Sequence, residues 1–159
     1  MKRIFISLIV IVALFFSLSS CKEERTAVEL MNEFLDSYGI ESVIYSPSLS
    51  EGDEGYVDEK FFESVYGEAS DSVIDYAAVF VTDTVSVGEC AIFICASRYD
   101  AVVVSEICLM RIDMIASISG FSDTSSITGS FVTRNKNIVF MSVLSDNSRS
   151  KSAITRILK

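Results

Sequence analysis

The sequence predicts an α+β fold, an antiparallel sheet of two β-hairpins covered by helices in the order α-α-ββα-ββα. Three observations predict it. Apolar residues recur at helical spacing in two segments between positions 27 and 66. From Val73 the pattern changes to branched and aromatic runs, "VIDYAAVFVT" and "ECAIFICA". A strand-strand-helix succession then occurs twice before the chain ends. Runs of this kind place helices over an antiparallel sheet.

Each element has its own signal. Val28, Met31, Phe34 or Leu35, and Tyr38 define a first helix over 27–38, and Gly39 supplies its stop. The polar stretch "YSPSLSEGDEG" carries Pro47, Gly52 and Gly55 and reads as a loop. Asp58 can cap a short helix with Phe61, Phe62, Val65 and Tyr66 on one stripe, ended by Gly67. The two β-rich runs are apolar on both faces, which predicts central strands or a sheet covered on both sides, joined by a turn around Asp83 to Gly88. The longest helix follows over 98–119, ended by Gly120. It offers Val104, Ile107, Cys108, Ile112 and Ile115 to the core, with Glu106, Arg111 and Asp113 on a wetter side. "ITGSFVT" and "NIVFMSVL" form the second hairpin through Arg134, Asn135 and Lys136, where asparagine tolerates the left-handed conformation. A last helix runs to Leu158 after the cap-like Asp146, Asn147 and Ser148.

The start of the chain has a different character. Met1-Lys2-Arg3 precedes an uncharged run from Ile4 to Leu18, which is shorter than the roughly 18 apolar residues a spanning helix needs. A basic start, an apolar run of this length and small residues at its end are the parts of a secretory signal peptide. Leu18-Ser19-Ser20-Cys21 resembles the lipobox of bacterial lipoproteins. That resemblance implies a diacylglyceryl thioether on Cys21, cleavage before it, and a mature chain anchored in the cell membrane at its extracytoplasmic face. Two acyl chains hold a protein durably where one does not. The expected organisation is a signal peptide over 1–20, a lipidated tether over 21–26 and one domain over 27–159.

Charge is distributed unevenly. The full chain carries a formal -9, and removal of Lys2 and Arg3 leaves -11. Residues 21–75 sum to -12 and residues 76–123 to -4, while residues 124–159 sum to +5. Such asymmetry marks a partner surface or the packing of an acidic layer near a basic one. Nucleic acid is not an expected partner, because a basic footprint over the whole domain is missing.

The sequence has no histidine, which removes Ser-His-Asp and Cys-His catalysis and His-containing zinc sites. Ser145-Asp146-Asn147 overlaps Ser148-x-x-Lys151, two elements of penicillin-binding enzymes, but in those enzymes they form separate walls of a cleft with a third strand element. Here they read as a helix cap and a solvated first turn. The acidic "EGDEGYVDEKFFE" fails the calcium-loop register, with Gly55 and Val57 at the third and fifth positions from Asp53 and Ser64 at the twelfth. No glycine spacing matches a phosphate cradle, and no cofactor is expected.

Cys90 and Cys95 fall five positions apart in one predicted strand, on opposite faces and roughly 16 Å apart, beyond the span of a disulfide. Cys108 could approach one of them. Buried thiols, a disulfide, and a metal or redox role stay open, with the buried thiol the commonest arrangement.

Tyr66-Gly67, the run Val87-Gly88-Glu89-Cys90-Ala91-Ile92-Phe93, a helix with Arg111 in its second half, a second hairpin and a closing helix together resemble a family of short lipoproteins from Gram-positive, Clostridia-type anaerobes that carry a domain of unknown function. The resemblance covers about residues 56–158. Departures occur at "FSDTSSITG", where the family has a proline, and at Lys136 and Ile138, where it has a glycine and an aromatic. The resemblance implies an address and a fold and brings no active site.

The expected function is therefore a non-catalytic binding or accessory module of the cell envelope, with Arg134, Asn135 and Lys136 and the acidic N-terminal layer as candidate contact surfaces for an envelope protein partner. The alternatives are a small-ligand or cation binder with a concave pocket, and an enzyme using carboxylates such as Glu89 and Asp113.

Overall fold

The computed structural model describes residues 25–67, 70–82, 87–118 and 128–159. Helix α1, Ala27–Tyr38, opens on a capping box. The Thr26 side chain accepts from the Glu29 amide at 3.2 Å, and the Glu29 carboxylate accepts from the Thr26 amide at 2.8 Å. Gly39 closes α1 in the left-handed conformation, φ 77°, as its sequence position predicts. Asp58 caps α2, Glu59–Tyr66, and Gly67 ends it. A single 3-10 turn, Ser70–Ser72, leads into the strands β1, Val73–Thr82, and β2, Val87–Cys95. Helix α3, Arg98–Ile118, is followed by β3, Phe131–Asn135, β4, Ile138–Val143, and α4, Asn147–Ile157.

The four strands form one antiparallel sheet in the order β1-β2-β4-β3. The two hairpins are joined through β2 and β4, with Ala91 opposite Met141 and Phe93 opposite Val139. Both inner strands are buried on two faces, as their apolar runs predict. On one face Ala77, Val79, Cys90, Ile92 and Phe140 meet Leu30, Met31 and Phe34 of α1 and Ala153, Ile154 and Ile157 of α4. On the other, Tyr76, Ala78, Ala91, Phe93 and Met141 meet Phe62 and Tyr66 of α2 and Ala101, Val104 and Cys108 of α3. Each large apolar side chain buried this way contributes about 1.5–3 kcal/mol. The domain is thus an α+β sandwich with the sheet as its middle layer.

Two expectations need correction. β2 begins at Val87, so the turn predicted over Asp83 to Gly88 ends before it, with 83–86 outside the described residues. Helical spacing puts Arg111 on the wetter side of the long helix, yet it points at the sheet, drawn there by the buried Glu89 carboxylate. Gly120, the expected stop of that helix, lies outside the described residues.

The outer edge of β1 is partly covered by the acidic loop. Tyr45 exchanges two backbone hydrogen bonds with Ala78, at 2.8 and 2.9 Å, and the Tyr45 ring lies 5.6 Å from that of Phe80. An edge strand closed in this way is not free to pair with another chain at that position.

Candidate functional site

The predicted contact residues Arg134, Asn135 and Lys136 lie at the tip of the second hairpin, but not all in its turn. β3 extends to Asn135, so the turn is Lys136-Asn137, and the left-handed residue is Lys136 (φ 56°) rather than asparagine. A side chain in that region costs roughly 1–2 kcal/mol. The bonds made by the next residue offset it, since the Asn137 carbonyl accepts from the Cys95 amide at 2.8 Å and the Asn137 side chain donates to the Cys95 carbonyl at 2.9 Å.

Those two bonds tie the hairpin tip to the end of β2, just before α3 begins. Arg98 is thereby brought beside Arg134 and Lys136, and together with Asn135 they line an open depression of about 460 Å³. No local sequence signal marks Arg98 as part of this surface. It lies in a separate segment of acidic net charge, and only the pairing of β2 with β4 brings it there.

From Arg134 the same side of the molecule continues along β3 and α4. A second depression, about 200 Å³, is lined by Arg134, Asn135, Thr155 and Lys159 among others. A third, about 560 Å³, is lined by Lys151, Ser152, Thr155, Arg156 and Lys159. Among the described residues, no aspartate or glutamate lines any of the three. The Lys151 ammonium sits 5.0 Å from the centre of the Phe131 ring, which holds it against the β3 edge.

The start of the domain adjoins this band. Arg25 donates through Nη2 to the Ile157 carbonyl at 2.8 Å, and the next carbonyl, that of Leu158, accepts from the Asn135 side chain. The loop over residues 41–58, with five acids and no base, lies beyond the opposite edge of the sheet, against β1. Three inter-strand spacings of about 4.8 Å separate β1 from β3, so the acidic and basic sides are held apart by the sheet itself.

A second constellation is buried between β2 and α3. Glu89 is 1 % exposed, and its carboxylate accepts from Arg111 Nε at 3.1 and 3.2 Å and from Nη2 at 2.7 Å. Burial alone lowers the Arg111 pKa, but the Glu89 hydrogen bonds and charge outweigh it and raise the guanidinium above its ordinary value. The Arg111 guanidinium also lies 5.9 Å from the Tyr66 ring centre. Burial, and then the nearby Glu89 charge, push the Tyr66 hydroxyl well above the usual phenol range. Asp113, the other carboxylate considered for acid-base work, is exposed on α3 while Glu89 is enclosed and already paired. The two therefore do not form an acid-base pair.

Cys90, Cys95 and Cys108 are free and buried. Cys90 faces Met31 with its sulfur 3.9 Å from the thioether, while Cys95 and Cys108 share the opposite layer. Burial raises all three thiols; that of Cys95 is pushed up to about 11, by burial first and then by Asp100. A thiol held protonated is a poor nucleophile and metal ligand.

The acidic loop is a succession of turns with Gly52 and Gly55 at positive φ. Beside it lies a cavity of about 360 Å³ lined in part by Ser48, Asp71 and Asp75. Both Asp75 oxygens are engaged, one by the Ala27 amide at 2.7 Å and the other by the Ser48 hydroxyl. Among the described residues, no group of three or more Cys, Asp or Glu side chains is placed to hold a metal ion. Asp146 caps α4 by accepting from the Arg149 amide at 3.0 Å, as its place before that helix predicts.

Leu18, Ser19, Ser20 and Cys21 lie outside the described residues, and no described helix is long and apolar enough to cross a membrane. No protein-family model matches the chain, nor does any curated protein or solved structure.

Proposed function

We propose that this chain is an extracytoplasmic lipoprotein, held in the cell membrane by a diacylglyceryl group on Cys21, that serves as a non-catalytic binding or accessory module of the envelope. The observation that carries the binding role is the basic surface of Arg98, Arg134 and Lys136, with no acid among its described lining residues, brought together by the pairing of two hairpins near the start of the domain. The enclosed Glu89 carboxylate, paired with Arg111, supports a non-catalytic reading, as does a sequence without histidine.

The test has two parts. Cys21→Ala should move the protein out of the membrane fraction of producing cells and abolish incorporation of labelled fatty acid. Retention of both in the variant rejects the anchor. Crosslinking in intact cells, to protein and to lipid, comparing wild type with Arg134→Glu/Lys136→Glu at equal abundance, should lose an envelope contact of one kind or the other. Identical protein and lipid crosslinks from both chains reject this surface.

A further inference from the structure

We propose that the basic band formed by Arg98, Arg134, Lys136, Lys159, Arg156 and Lys151 lies against the anionic headgroups of the membrane that holds the anchor, and so fixes the orientation of the domain on the bilayer. This inference rests on the anchoring proposed above and names the ligand of its contact surface.

Geometry supports it first. Three residues, Lys22 to Glu24, lie between Cys21 and Arg25, so four residue steps span at most about 14 Å. Arg25 bonds to Ile157, and the adjoining Leu158 carbonyl bonds to Asn135, within the band. The Ala27 amide, two residues on, bonds to Asp75 of β1, which Ser48 of the acidic loop also holds, and Arg25 pairs with Glu33, so the lipid attachment keeps this whole end of the domain within a short reach of the headgroups and charge decides which side turns to them. Attraction between basic side chains and an anionic leaflet decays over a Debye length of about 8–10 Å, so proximity imposed by the anchor is what makes the band effective.

Charge supports it second. A mature chain of -11 is repelled as a whole by an anionic surface, yet the acids of the 41–58 loop and the cations of β3 and α4 stand at opposite edges of the sheet. An anionic leaflet therefore exerts a torque that turns the band inward and the acidic loop outward. Lys22, Glu23 and Glu24 of the tether sum to -1, so the attraction must come from the folded band. Six cations, with no carboxylate among the described lining residues, offer phosphate headgroups a surface of one sign. Each Lys or Arg near such a surface shifts the docked population about fivefold.

The experiment uses full-length protein extracted from producing cells. It is reconstituted in vesicles of phosphatidylcholine alone or with phosphatidylglycerol at roughly 3:1. A nitroxide is attached at Thr155→Cys in the band or at Glu51→Cys in the acidic loop, both exposed positions, while the three thiols of the domain are buried. Nickel chelated to a lipid headgroup reports proximity, and flotation reports attachment. Expected is flotation with both vesicles, and nickel broadening at Thr155 but not at Glu51 that needs phosphatidylglycerol. It should fall at least tenfold in Arg134→Glu/Lys136→Glu, or when salt rises from about 0.1 to about 1 M and the Debye length shrinks to about 3 Å. Flotation with both vesicles but equal broadening at the two sites overturns the headgroup inference and leaves the anchor standing. Flotation only with phosphatidylglycerol, lost in the double variant, overturns the anchor and leaves the band a headgroup site. No flotation with either overturns both. A protein crosslink abolished by the double variant, with no lipid dependence of the label, assigns the band to a protein and overturns the headgroups as its ligand.

Discussion

Arg111 reaches from the second half of α3 to grip Glu89 of β2, with Nη2 2.7 Å from a carboxylate oxygen that is itself sealed from solvent. The pair joins the longest helix to the sheet at one fixed register. It also explains how a glutamate can stand in an otherwise apolar strand. The carboxylate is tolerated because three charge-assisted hydrogen bonds replace those it would make to water.

Breaking that pair from one side should be severe. Arg111→Ala leaves an unpaired buried carboxylate, and its unfolding free energy in urea should fall by about 3–5 kcal/mol. The double variant Glu89→Leu/Arg111→Met, which removes both charges and keeps apolar volume, should recover most of the loss. If the double variant is as unstable as the single one, the pair contributes more than mutual charge compensation.

Alkaline pH should destabilise the fold. Cys90, Cys95, Cys108 and Tyr66 all have raised pKa values, so the folded chain keeps protons that the unfolded chain gives up. For Cys95 the stabilising contribution is complete below its ordinary 9.0 and disappears as pH rises through about 11. Cys90, deeper in the core, should contribute a slope of about 1.4 kcal/mol per pH unit above its ordinary value. Urea unfolding between neutral pH and pH about 10 checks the direction. Cys90→Ala should be less stable at neutral pH and show a shallower alkaline decline. An equal slope in wild type and variant would assign the decline to other groups.

Two glycines of the acidic loop should respond differently to alanine. Gly52 (φ +100°) has open space around it, so Gly52→Ala should cost only the backbone strain, about 1–2 kcal/mol. Gly55 (φ +89°) would place a Cβ 2.0 Å from the Ile44 carbonyl oxygen, while its own carbonyl accepts from the Ser46 amide at 3.1 Å. Gly55→Ala should therefore cost clearly more and loosen the Tyr45-Ala78 bridge, read as faster amide exchange at those two residues. Equal melting temperatures for the two variants would contradict this assignment.

Much of the architecture was legible in the chain because its signals act over a few residues. Asp58 and Asp146 mark helix starts, and Gly39 and Gly67 mark helix ends. The continuous apolar runs of β1 and β2 announced a sheet covered on two sides. The Leu18–Cys21 motif that suggests an anchor is likewise a local pattern, read without any fold. What the sequence could not determine is which distant residues meet. Arg98 and Arg134 are 36 positions apart, and they line one depression only because β2 pairs with β4 and Asn137 bonds to Cys95. Arg111 read as solvated from helical spacing, because a guanidinium points inward only when a buried carboxylate on another element receives it. The left-handed turn residue fell on Lys136 because cross-strand register outweighed the local preference of asparagine. Capping and periodicity are set by bonds within one or two turns, whereas the charged surface and the buried pair are set by sheet order, which is fixed by the packing of the whole core.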